Sequence, residues 1–69
     1  MTYNVESSNI KTISYEADSQ ELVVEYLSGH KYAYSNVPQI VLNDILSAVS
    51  KGKYMNQMIK GQYEGRRIS

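Results

Sequence analysis

Apolar and polar positions alternate with a period of two through three early stretches of the chain and then change to helical spacing. Ile10 to Glu16 carries Ile10, Thr12, Ile13 and Tyr15 in an imperfect alternation, which predicts a strand with a bulge or an edge position. Glu21 to Leu27 is the clearest strand. Leu22, Val24 and Tyr26 share one face, and Val23, Glu25 and Leu27 share the other. His30 to Asn36 is a third, with His30, Tyr32 and Tyr34 on one side and Lys31, Ala33 and Ser35 on the other. Ala17-Asp18-Ser19-Gln20 and Ser28-Gly29 are turns by composition. Consecutive strands joined by short turns imply an antiparallel meander.

Val37-Pro38 is the switch point. Proline is well tolerated at the first position of a helix, and Asn36 is the better capping side chain before it. In Gln39 to Ser50, Val41, Ile45, Ala48 and Val49 recur at helical spacing beside Leu42 and Leu46, while Asn43, Asp44 and Ser47 face away. This helix is expected to cover one face of the sheet. Gly52 stops or bends it. A second short helix follows over Lys53 to Lys60, with a stripe of Tyr54, Met55, Met58 and Ile59, and Gly61 ends it. The expected fold is α+β: a three-stranded antiparallel β-meander followed by one amphipathic helix and a second short helix, in one domain over residues 1–69. Residues 1–6 read as a loose N-terminus, Ser7-Ser8-Asn9 as a tight turn, and residues 64–69 as a mobile basic tail.

Size sharpens this picture. A chain of 69 residues buries only about 60% of its unfolded surface. Cysteine is absent and histidine occurs once, so neither a disulfide nor a structural zinc site supplements the core. Self-association is the remaining device, and a homo-oligomer is expected. There is no apolar run near 18 residues, and Met1 to Glu6 lacks a basic-then-apolar leader, so a cytoplasmic location away from the membrane is expected. Formal net charge is zero, yet residues 1–50 hold two lysines against six acids, and residues 51–69 hold five cations against Glu64. A basic end on a neutral chain suits a local anion site; a solvated helix end and tail is the plain alternative.

Little here suits catalysis. His30 stands alone, and no serine elbow, cysteine nucleophile or Gly-rich phosphate loop is present. Glu16, Asp18, Glu21 and Glu25 fall on or beside strands and turns, where solvation explains them. No enzyme, metal or cofactor is expected. Binding chemistry is better represented. In Ser50-Lys51-Gly52-Lys53-Tyr54-Met55-Asn56, a glycine between two lysines at a helix junction can expose backbone N–H groups to a phosphate. Tyr54 and Asn56 would add stacking and a hydrogen bond, and Lys60 falls about two helical turns after Lys53. The plain alternative is a C-cap, which explains Lys51 and Gly52 better than Lys53 and Asn56. Seven tyrosines with no Phe or Trp offer flat faces with polar tips. Tyr32 and Tyr34 share a strand face that is either a stacking surface or the core under the helix.

Ser7-Ser8-Asn9-Ile10, Ile13, Tyr15 followed by an acid, Leu22-x-Val24-x-Tyr26-x-x-Gly29, Tyr32-x-Tyr34, Val37-Pro38 and Ser50-x-Gly52-x-Tyr54-x-Asn56-x-x-Ile59 follow in order. This set resembles the KTSC domain family from about Ser7 to Tyr63, with Tyr26 where Phe is often found. The family occurs as a C-terminal appendage of some lysyl-tRNA synthetases and as small stand-alone proteins of bacteria and phages, and RNA binding has been suggested for it. The resemblance implies Ser8, Tyr32, Tyr34, Ser50, Gly52, Tyr54 and Asn56 as pattern positions, whether for fold or for ligand. The expected function is a non-enzymatic nucleotide- or RNA-binding module, including a phage-type sponge for a signalling cyclic nucleotide. Its expected ligand-binding residues are Ser8, Tyr32, Tyr34, Ser50, Lys51, Gly52, Lys53, Tyr54, Asn56 and Lys60. The alternative is a protein-interaction or self-assembly module.

Overall fold

The computed structural model describes residues 2–5, 7 and 9–69. Five strands, β1 (Thr2–Asn4), β2 (Ile10–Glu16), β3 (Glu21–Tyr26), β4 (Lys31–Tyr34) and β5 (Gly65–Arg67), form one antiparallel sheet in chain order. Helix α1 (Gln39–Ser47), the one-turn α2 (Lys51–Tyr54) and a π-helical segment (Met55–Ile59) lie between β4 and β5. The meander is therefore present, but the sheet has five strands instead of three. The segments read as a loose N-terminus and a mobile tail supply both edges. Edge strands are held by main-chain hydrogen bonds, so neither needs an apolar alternation to announce it. Around β5, Ser35 N–H donates to Glu64 O (3.0 Å), Lys31 N–H to Ser69 O (3.1 Å) and Ile68 N–H to Lys31 O (2.8 Å).

The broken alternation in β2 is a bulge: the register with β3 shifts between Ile10 and Thr12. Past it, Ile13 faces Val24 and Tyr15 faces Leu22. Val24 in turn faces Tyr32, and Leu22 faces Tyr34. Cross-strand partners share a sheet face, so Tyr32 and Tyr34 lie on the core side. That side packs against Leu42 and Ile45 of α1 and Met55 and Ile59 of the π segment, and all four are buried. The other side carries mostly polar side chains around the half-buried Val23 and the buried Ala33. Thr2 and Ser14 hydroxyls meet at 3.0 Å, Thr12 donates to Glu25 (3.3 Å), and Arg66 pairs with Glu21 at 2.9 Å.

Val37 fixes the passage from sheet to helix. Its side chain is fully buried, its N–H donates to Gln20 O (2.9 Å), and its carbonyl accepts the buried Tyr15 hydroxyl (2.6 Å). Asn36 does not cap α1. It has φ of +60°, whereas an N-cap needs extended backbone. Pro38 takes the N-cap position with no side-chain bond, and its carbonyl accepts the N–H groups of Val41 and Leu42. Helix α1 ends at Ser47, short of the expected Ser50, because Ala48 turns extended and donates to Ile45 O (3.1 Å). Val49 thereby leaves the expected apolar stripe and stands fully exposed. Gly52 is no break: it is buried inside α2. Among the described residues no helix is long and apolar enough to cross a membrane.

Candidate functional site

One groove of about 470 Å³ opens where the β3–β4 turn approaches the end of the π segment. Its aromatic wall is Tyr26 and Tyr32, whose rings meet edge to face at 6.0 Å and 84°. Leu27, Ser28 and His30 of the turn form one side, and Asn9 and Lys60 close it. Gly29 makes the turn with φ of +96°, a conformation most side chains resist. Lys60 Nζ stands 5.2 Å from the centre of the Tyr26 ring, a cation–π contact worth about 0.5–1 kcal/mol at an exposed site.

A second groove of about 280 Å³ shares Tyr32 and Lys60 with the first and continues along Gly61, Tyr63 and Gly65, with Tyr34 at its floor. Gly65 lies directly on the Tyr34 ring; an added Cβ there would sit 2.5 Å from Cε1. Arg67 is the cross-strand partner of Tyr32, so it falls on the same sheet face. Among the described residues no acidic side chain lines either groove, although the chain holds seven acids.

The Tyr26 hydroxyl is buried, and no hydrogen-bond partner meets it among the described residues. Burial first, and the neighbouring Tyr34 phenol second, push its pKa far above the ordinary tyrosine value; Tyr34 is close by but not in hydrogen-bond geometry. Tyr34 is raised as well, again mainly by burial. Both phenols stay neutral across the physiological range. No group of three or more potential metal-ligating residues occurs among the described residues.

The family model for the KTSC domain matches residues 6–63 of this chain. The chain belongs to the KTSC domain family. A crystal structure of a KTSC domain protein from Yersinia pestis superposes with a TM-score of 0.94 at 33% identity, covering all of this chain and 97% of that one. A lysine–tRNA ligase of Nostoc punctiforme is 42% identical over 64 residues, 93% of this chain. The KTSC chain spans only 11% of that ligase's length. An uncharacterized protein of Stutzerimonas stutzeri is 37% identical over 59 residues and similar in size, with 83% of its length covered.

Within this KTSC domain the expected site residues divide. Tyr32 and Lys60 come together and form the partition between the two grooves. Tyr34 joins them only as a floor; at 3% exposure and beneath Gly65 its ring belongs to the core. The Ser50–Asn56 corner lies apart from these grooves, and its Ser50 and Lys51 side chains make local structural bonds. Ser50 Oγ accepts from Lys53 N–H (3.4 Å) as the N-cap of α2, and Lys51 Nζ donates to Ala48 O (3.2 Å) at the end of α1. Gly52 is pressed against the Asn9 side chain, which leaves no room for a Cβ. Lys53 and Tyr54 line a shallow groove with Val49 and Gln57, and Asn56 is exposed. Burial and the Asp44 carboxylate raise the Tyr54 pKa. Ser8 lies outside the described residues.

Lys53 and Lys60 do not share a groove, because the π segment intervenes. Lys60 N–H donates to Met55 O (2.8 Å), a bond over five residues that adds one residue to the turn and rotates the chain beyond it. Sequence reading missed Asn9, Tyr26, Ser28 and His30 as groove residues. The legible signal was the Tyr26-x-x-Gly29-His30 hairpin, whose tyrosine and histidine alternate onto the Tyr32 face.

Proposed function

We propose that this KTSC domain is a non-enzymatic module that binds a nucleotide unit of single-stranded RNA. The observation that carries this reading is the double groove with a tyrosine wall, Lys60 at its centre and no acidic lining among the described residues. Tyrosine faces stack bases at about 1–3 kcal/mol each, with little regard to sequence. Lysine supplies the phosphate charge, and Asn9, Ser28 and His30 supply hydrogen-bonding groups for a base edge or ribose. The volume suits a small ligand. Relatives named as lysine–tRNA ligases support RNA over a free signalling nucleotide.

Thermal unfolding with short single-stranded RNA, mononucleotides and cyclic nucleotides tests this. A ligand at 100 times its Kd stabilises by about 2.7 kcal/mol. RNA is expected to raise the midpoint, and Lys60→Glu to weaken binding by more than tenfold. A shift only with a cyclic nucleotide makes the domain a sponge. No shift with any of them sinks the reading.

Self-assembly has its own support. Val49, Ile40 and Met58, all in the helical half of the chain, are exposed apolar side chains, and the β1 edge carries no charge. Light scattering at micromolar concentration is expected to give a dimer mass; a monomer removes this reading and leaves the groove untouched.

A further inference from the structure

We infer that the site is built for two consecutive nucleotides and takes a dinucleotide step as its unit of recognition. This rests on the nucleotide-binding reading above and deepens it. Two grooves meet at one partition, Tyr32 and Lys60, and each has aromatic lining of its own: Tyr26 in the first, Tyr63 in the second. A single nucleotide has one base and fills one groove. Two linked nucleotides have two bases and one internucleotide phosphate. Lys60 is the only lysine lining either groove among the described residues, and it stands on the boundary between them. The bases of such a step are splayed, one into each groove, and the linking phosphate rests at Lys60. A duplex is excluded as ligand, since paired bases are stacked on one another and do not present their faces to tyrosines. A long strand gains little beyond the second nucleotide, because among the described residues no lysine or arginine besides Lys60 lines either groove, and affinity for further phosphates needs further cations.

Calorimetric titration of the full chain with adenosine monophosphate, ApA and ApApA at low salt decides it. ApA is expected to bind about tenfold tighter than the monophosphate, and ApApA within about threefold of ApA. Lys60→Gln, an exposed position, is expected to keep the unfolding midpoint while lowering the ApA affinity and weakening its dependence on salt. His30→Ala tests the first groove and is expected to weaken both the monophosphate and ApA. Equal affinity for the monophosphate and ApA overturns the two-nucleotide site and leaves the binding reading standing. A further tenfold gain with ApApA overturns it in favour of a longer track. No binding by any of the three overturns both.

Discussion

Tyr15 and Tyr26 carry the same hydroxyl into the same small core with opposite consequences. Tyr15 donates to the Val37 carbonyl at 2.6 Å, so Tyr15→Phe strands a buried acceptor and is expected to cost about 1–3 kcal/mol in urea denaturation. The buried Tyr26 hydroxyl has no hydrogen-bond partner among the described residues, so Tyr26→Phe is expected to be neutral or stabilising by up to about 1 kcal/mol. The resemblance of the sequence to a family that often places Phe there is consistent with this. The same hydroxyl sets an alkaline limit. Its folded pKa is raised above the unfolded value of about 10, so both states stay protonated below pH 10 and no pH dependence arises there. Above pH 10 the unfolded state loses its proton first, and stability falls as pH rises. Tyr26→Phe is expected to flatten part of that decline. Gly52 was legible in sequence as a special position, but its reason was not. The amide end of Asn9 occupies the space of a Cβ there, but that side chain is exposed and can swing aside, and alanine suits a helix better than glycine, so Gly52→Ala is expected to change stability by no more than about 1 kcal/mol, measured by urea denaturation.

At the scale of elements, the two faces of each central strand could be read from alternation alone, since the pleat sends successive side chains to opposite sides. Which face was core depended on the register of β2, β3 and β4, and that register puts Tyr32 and Tyr34 with Val24 and Leu22. The second helix defied its stripe. Met55 and Ile59 are buried but Met58 is half exposed, because the π turn changes the angular spacing that an ideal helix would impose. The added residue also carries Lys60 to the Tyr26 ring. Deleting the exposed Gln57 restores α-helical spacing, and the deletion variant is expected to fold, to lose the Lys60–Tyr26 contact and to bind nucleotides at least tenfold more weakly. Circular dichroism and the same titrations check this.

For the whole molecule, β5 closes a sheet edge, covers the Tyr34 ring with Gly65 and walls the second groove. A chain ending at Tyr63 loses these together. It is expected to lose more than about 1 kcal/mol of stability, a large share for a marginal core, and a denaturant midpoint measures it. The tyrosine fluorescence of that variant is expected to show the exposed Tyr34. The basic tail, which reads in sequence as a solvated end, is thus a structural strand, with Arg66 tied to Glu21 and Arg67 beside Tyr32.

By itself the sequence determined the meander, its turns, the switch at Val37-Pro38 and the family, because period, turn chemistry and proline act locally and leave their marks within a few residues. The tertiary structure alone decided the two edge strands, the burial of Tyr34, the separation of the Ser50–Asn56 corner from Lys60 and the meeting of Tyr26, Tyr32 and Lys60. Those depend on backbone pairing, on strand register and on one extra residue in a helical turn, and each of these joins parts of the chain that no local pattern connects.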